Sequence, residues 1–323
     1  MTLPRATRKA KTVVRNLILV SGQVAVLFAL MGVGAVLRKA KWVDEKGISG
    51  FTNLLILVVT PCLIVDCFQR PFDSAMLTSL ASAFLIAVAI HLVAILLAGR
   101  VIRHPGADTR HPLQLAAVFS NAGFMGIPLE QAILGETGVF FGIVYVVVFN
   151  LFIWSWGVWR MRREDRCGMN RWKMWVNPGT VGIMAGLPLF LFSIRLPSVA
   201  SVSIHHLANL NTPLAMIVIG YSLAGARLGR VMWFSAAYGA VFVRLIVCPL
   251  LMIAALLPFR GLLDRRMMLA LVIAASAPVA AMVSMLAVKF GRDVDTSVAV
   301  VCGSTILSIF TMPPVIALAM AVF

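Results

Sequence analysis

Acidic residues are scarce in this chain. Asp and Glu number 12 against 28 Lys and Arg in 323 residues, and charged residues of both signs make up only 12%. A water-soluble domain carries about a quarter charged residues, so an ordinary soluble fold is excluded. Cysteine is sparse as well. Cys62, Cys67, Cys167, Cys248 and Cys302 show no CxxC spacing and mostly sit in apolar stretches, which excludes a zinc site and a disulfide framework. There is no HExxH, no GxSxG, no P-loop and no pair of aspartates within an apolar segment. An intramembrane enzyme needs at least one such constellation, so the chain reads as a non-enzyme, and it implies no cofactor and no metal. No soluble domain or low-complexity linker interrupts the apolar segments, and the longest polar connector runs only from Arg160 to Lys173.

What the chain does have is hydrophobicity, 61% of its residues, with a mean hydropathy of +0.97. Runs of roughly the 20 residues needed to cross a bilayer fall at 17–37, 51–68, 76–99, 112–134, 138–159, 176–194, 204–225, 232–257, 267–290 and 295–322. The expected fold is therefore an all-α polytopic membrane protein with ten transmembrane helices. The first run follows a basic tail and superficially resembles a signal peptide. It is of span length and lacks a small-residue cleavage signature, so it reads as a first transmembrane helix.

The net charge of +16 would suggest nucleic acid in a soluble protein. Here the basic residues lie in connectors, and topology explains them without a nucleic-acid partner. Counting Lys289 at the edge of the ninth run, connectors after odd-numbered runs carry 17 Lys and Arg, and those after even-numbered runs carry 5. The positive-inside rule then places the odd connectors in the cytoplasm and both termini outside. The basic tail (Arg5, Arg8, Lys9, Lys11, Arg15) raises the even side to 10, which still leaves the odd side ahead. The expected location is the inner (plasma) membrane.

Two runs contain helix breakers where a continuous helix would not tolerate them. In the fourth, Ser120-Asn121-Ala122-Gly123-Phe124-Met125-Gly126-Ile127-Pro128 packs two glycines and a proline into a short stretch. Glycine costs about 1 kcal/mol against alanine in a helix interior and proline about 3. Broken backbone cannot face hydrocarbon; it must be buried in protein or line a cavity. The ninth run has a matching break at Ser276-Ala277-Pro278-Val279. Ser120 precedes Gly135 by fifteen residues, and Ser276 precedes Gly291 by the same distance. Thr60-Pro61 in the second run is echoed by Thr212-Pro213 in the seventh, and both echoes are offset by just over 150 positions. The chain thus divides into a tail (1–16), a first five-helix repeat (17–160), a basic cytoplasmic connector (161–175) and a second repeat (176–323). Five crossings per repeat make the second inverted relative to the first. Inverted repeats with broken, crossing helices 4 and 9 mark secondary transporters.

In such an arrangement the second half of each broken helix aims its N-terminus, with about half a positive charge and free N–H groups, at the midplane. Gly123, Gly126 and Pro128 at one break, Ser276 and Pro278 at the other, and Asn121 beside the first are candidate substrate-binding residues. Thr60, Asn211 and Thr212 are uncharged polar groups near breaks and join them; Asn150, Ser304 and Thr305 serve equally well as glue between helices. Beyond the opening residues of the runs, only two acids lie within them, Asp66 and Glu130. Glu130 reads either as a proton-coupling carboxylate or as a group satisfying a helix dipole, and Asp66 as a solvated helix end. Arg244 lies too centrally to reach either surface. It is a counter-charge for an anion or a structural partner of Glu130 or of carbonyls freed at a break. His91, in the third run, reads as a satisfied buried histidine. Tyr145, Trp154 to Trp159, Trp172 and Trp175 read as packing and interface-belt residues.

With these residues in place, the chain resembles the auxin efflux carrier (PIN-like) transporter family, bacterial type. The resemblance rests on Asn121-Ala-Gly-Phe-Met-Gly-Ile-Pro-Leu129. Thr60-Pro61-Cys-Leu-Ile64, Asn177-Pro178, Arg244-Leu-Ile-Val-Cys-Pro249 and Ala275-Ser-Ala-Pro278 support it, and it covers the chain from about Leu17 to its end. It implies two inverted five-helix repeats, elevator-like alternating access, a small organic anion as substrate (auxin-like or a dicarboxylate) and a homodimer. It also implies that Asn121, Pro128 and Pro278 line the site. Ala277 departs from the polar residue expected at the second crossing, and Glu130 is unusual for the tail of the motif. The competing reading is a monovalent cation/proton antiporter on the same architecture.

Overall fold

A computed structural model describes residues 5–162, 178–225 and 235–323, with side chains described from Val14 onward. Most of the basic connector, with Cys167, Trp172, Trp175 and Asn177, lies outside the described residues. Among the described residues the chain is helical, without a β-sheet.

Among the described residues, seven helices are long and apolar enough to cross a membrane: α1 (Val14–Lys39 of a helix that starts at Arg5), α2 (Glu45–Cys67), α3 (Ser74–Val101), α6 (Glu136–Met161), α8 (Ser198–Gly225), α9 (Ala236–Phe259) and α12 (Val294–Val322). Shorter pieces lie between them. The region of the fourth apolar run forms α4 (Ala107–Val118) and α5 (122–134), that of the ninth forms α10 (Arg265–Ser276) and α11 (Met282–Phe290), and α7 (Pro178–Leu191) precedes α8. Large apolar side chains such as Leu85, Leu96, Met184 and Phe310 are exposed on the outer faces of these helices. A water-soluble surface does not carry so many, and a lipid-facing one does. The chain is a multi-pass membrane protein.

The scarce acids go where helices begin. Asp44, Asp73, Asp264 and Asp293, four of the twelve, each accept a hydrogen bond from a first-turn N–H of α2, α3, α10 and α12. A carboxylate there satisfies an orphan donor and faces the positive end of the helix dipole.

Two of the shorter helices, α10 and α4, are buried over most of their length. Each residue from Met267 to Ser276 is buried, and so is each from Pro112 to Val118. Helices apolar all round belong in the centre of a bundle, and these two occupy it. At the periphery, α1 and α8 cross in backbone contact: a Cβ added at Gly34 would collide with the Ile217 carbonyl, and one at Gly220 with the Met31 carbonyl. Small residues allow that approach, as they do between helices in lipid generally.

Several helices widen by one residue into a π-turn: Leu55–Val59 in α2, Ala122–Gly126 in α5, Ile153–Gly157 in α6 and Val243–Val247 in α9. Three of them stand just before a proline, Pro61, Pro128 and Pro249. Proline lacks an N–H and its ring crowds the carbonyl four residues earlier, so the ladder opens locally to accommodate it.

Candidate functional site

The two breaks meet. After α4 the chain turns extended at Phe119, and after α10 it does so at Ala277. The two extended pieces run antiparallel, with Ser120 opposite Val279. Asn121 N–H donates to the Pro278 carbonyl (2.7 Å), and Ala280 N–H donates to the Phe119 carbonyl (3.0 Å). Val279 N–H donates to Ser304 Oγ of α12 (3.1 Å). Buried backbone groups need partners, and each break supplies them to the other.

Arg244 completes this crossing. It is 1% exposed, and its guanidinium donates to the Val118 carbonyl (2.6 Å) and to the Ala275 carbonyl. Val118 ends α4 and Ala275 is the penultimate residue of α10. One cation therefore caps the negative ends of two helices whose last carbonyls have no partner within their own helix. Cys248, one turn along α9, adds a weak Sγ contact to the Ala117 carbonyl (3.6 Å). Of the two roles open to Arg244 in the sequence, its contacts are those of the carbonyl partner.

Beside the crossing is a cavity of about 180 Å³. The first turns of α5 (Gly123, Phe124) and α11 (Met282, with Ala281 before it) form part of its wall. N–H groups in the first turn of a helix have no partner within that helix. The polar lining consists of Thr60, Ser120, Asn121, Asn150, Trp154 and Asn211, and the remainder is apolar, including Ile56, Ile64, Phe124, Ile143, Val146, Phe149 and Met285. Trp154 Nε1 and Asn211 Nδ2 are buried without a hydrogen-bond partner, while Ser120 lies within hydrogen-bonding reach of the Tyr145 hydroxyl. Among the described residues no carboxylate lines this cavity.

A second, more polar cavity of about 350 Å³ adjoins it through the shared wall residues Ile127 and Asn211. It contains Thr212, Glu136, His206 and the pair Asp66–His205, whose Oδ2 and Nδ1 are 2.9 Å apart.

The candidate residues thus separate into groups. Thr60, Asn121, Gly123 and Asn211 line the central cavity, and Thr212 lines the adjoining one. Gly126, Pro128, Ser276, Pro278, Glu130 and Arg244 lie outside both linings. Gly126 instead allows α5 to approach α10, where a Cβ would sit 3.4 Å from Ala274 Cα. Ser276 Oγ donates to the Ile273 carbonyl (2.9 Å), and Pro278 supplies the carbonyl that Asn121 binds.

Glu130 is fully buried, with neither carboxyl oxygen hydrogen bonded, and its head fills the notch left by Gly142 of α6. His91 is buried too; its Nδ1 lies 2.8 Å from the Ala87 carbonyl and its ring stacks on Phe152.

Sequence reasoning did not select Trp154 and Asn150 for the cavity, nor its apolar wall. Trp154 reads as an interface residue by type, and only the unsatisfied indole N–H distinguishes it.

A bundle of apolar helices around two crossed breaks and a buried, donor-rich cavity is the construction of a membrane transporter. The profile of the family described as "Membrane transport protein" matches residues 19–316. A protein of Methanothermobacter thermautotrophicus described as an uncharacterized transporter is 28% identical over 298 residues, covering 89% of this chain and 94% of its own length. The chain belongs to the membrane transport protein family, which is that of the PIN-like auxin efflux carriers.

Proposed function

We propose that this protein is a secondary transporter for a small organic anion, binding a carboxylate in the central cavity beside the crossed breaks. The observation that carries this reading is the character of the wall. Trp154 and Asn211 offer unpartnered N–H donors beside two helix N-termini. Such a surface complements negative charge. The rest of the wall is apolar, which suits a carboxylate with an apolar body, auxin-like, better than a dicarboxylate. Asn121 and Gly123 stand closest in sequence to the first helix start, Thr60 and Asn211 line the same cavity, and Thr212 lines the adjoining one.

The same reading takes α4–α5 and α10–α11 as single broken crossings. With the seven long helices and α7 they make ten, in two inverted repeats, with both termini outside the inner membrane. The antiparallel pairing of Ser120 with Val279 supports that assignment. Alternating access of the elevator type would move the crossed unit as one body, because Arg244 ties both first halves together. Gly126, Pro128, Ser276 and Pro278 then shape the site through backbone geometry, Glu130 is the candidate for coupling to protons, and a homodimer is the expected assembly. A cation/proton antiporter would want buried carboxylates facing the cavity, and Glu130 faces α6 instead.

The test is uptake into proteoliposomes of a labelled aromatic monocarboxylate and a labelled dicarboxylate, with and without a pH gradient. Saturable carboxylate flux lost in Asn121→Ala and Asn211→Ala supports the proposal. Flux of Na⁺ or K⁺ without carboxylate flux refutes it.

A further inference from the structure

A third cavity lies at the opposite end of the bundle from the Asp66–His205 pair and belongs to none of the machinery above. It is an open groove of about 460 Å³ where α3 ends, α4 begins and α6 ends, and Arg103, His104, Arg110, Gln114 and Arg160 give it its polar lining. Three guanidinium groups converge on it. Arg160 Nε donates to Gln114 Oε1 (2.8 Å), Arg110 to the His104 carbonyl (3.2 Å) and Arg103 Nε to the Arg100 carbonyl (3.0 Å). All these acceptors are neutral. Nearby Asp108 pairs with Arg292 (2.7 Å). Arg110 Nε is buried and has no hydrogen-bond partner. Like charges gathered in one groove repel each other, and an anion in the groove would offset that repulsion and supply the missing acceptor.

Exposed apolar side chains stand next to the groove residues in the chain. Val101, one residue before Ile102 of its wall, is 50% exposed, Leu96 one turn earlier 58%, and Trp159 beside Arg160 64%. An exposed tryptophan and arginines at the end of apolar helices mark the level of lipid headgroups. All three cations are arginine, whose planar fork matches phosphate in a bidentate way that lysine does not.

We propose that this groove is a binding site for a phosphate group, held by Arg103, Arg110 and Arg160, and that its source is the headgroup of an anionic phospholipid whose chains lie along the exposed face of α3. The site does not depend on what the central cavity carries.

The experiment uses the full chain, delipidated in a zwitterionic detergent, with mixed micelles of phosphatidylglycerol or phosphatidylcholine or with inorganic phosphate alone. Bound lipid is counted by native mass spectrometry, and stabilisation is read from thermal unfolding. Wild type should retain phosphatidylglycerol over phosphatidylcholine by about tenfold or more. Arg103→Gln with Arg110→Gln should bring that ratio near one, and Arg110→Lys should keep most of it. Inorganic phosphate that stabilises wild type but not the double variant, without any lipid preference, would support the phosphate chemistry and assign its source to free phosphate. No preference and no response to phosphate in wild type, or a preference unchanged in folded Arg103→Gln, would overturn the proposal.

Discussion

Replacing Arg244 with methionine keeps the length and apolar stem of the side chain and removes its charge. In the structure the guanidinium reaches the Val118 and Ala275 carbonyls, one at the end of each half-helix that leads into a break. Each hydrogen bond from a charged donor contributes about 1.5–3 kcal/mol, and a buried acceptor left without a partner costs about 1–3 kcal/mol. A cation at a partly buried helix C-terminus contributes up to about 2 kcal/mol more. Relief of the guanidinium's own desolvation works in the other direction and recovers several kcal/mol of that total. The balance predicts a loss of about 2–4 kcal/mol, or roughly 30- to 1,000-fold in the folded-to-unfolded ratio. Arg244→Lys, reaching one carbonyl at most, should lose about half as much. Unfolding titrations in mixed detergent micelles measure both. Arg244→Met within about 0.5 kcal/mol of wild type would refute the capping argument. So would an Arg244→Lys protein of wild-type stability whose substrate KM alone rises, since that is the behaviour of a substrate contact.

Other regions make their own predictions. Gly220→Ala drives a methyl group into the Met31 carbonyl of α1, so α1 and α8 must separate, at a cost of about 1–3 kcal/mol read as a lower unfolding midpoint; Gly22→Ala, which meets nothing inside α1, should cost nothing and stabilise by up to about 1 kcal/mol. At the start of α12, burial alone would raise the Asp293 carboxyl, but hydrogen bonds from the Thr296 N–H, the Thr296 hydroxyl and the Thr109 hydroxyl outweigh it and hold it below the ordinary aspartate value of 3.8. A carboxyl lowered in the folded state contributes stability that is complete above that value and disappears as pH falls through the lower folded one. The stability difference between wild type and Asp293→Asn should therefore be constant at neutral pH and shrink below about pH 4; a difference that grows on acidification would contradict the assignment. Glu130→Gln is nearly isosteric in the Gly142 notch and should fold normally, and the proton-coupling role predicts that it abolishes the pH dependence of flux.

The class of fold was legible in the sequence because lipid imposes long apolar runs and sends charge to their ends. The break at Asn121 to Pro128 was legible for a related reason: Gly and Pro inside a span require protein around them, and the structure buries that stretch against α10. Arg244 was conspicuous because every other basic residue sits in a tail, a connector or, like Lys289, at the edge of a run. Its partners were not, since a backbone carbonyl leaves no trace in residue type. The cavity wall was harder still. Ile56, Ile143, Val146 and Phe149 sit on helices apolar on every face, so no periodicity separates the side facing a cavity from the side facing lipid. The arginine-lined groove was hidden for another reason, because its arginines look like ordinary positive-inside residues until α3, α4 and α6 bring them together.

On the proposed function, the cavity beside the crossed breaks holds the carboxylate of an organic anion. The most direct measurement is the affinity of the purified protein for a radiolabelled aromatic carboxylate, with Asn211→Ala and Trp154→Phe compared against wild type and Arg103→Gln as a variant remote from the cavity. Losing one hydrogen bond to a charged group costs about 1.5–3 kcal/mol, so each cavity variant should weaken binding by about ten- to a hundredfold while Arg103→Gln leaves it unchanged. Binding that survives both cavity variants at wild-type strength would contradict it.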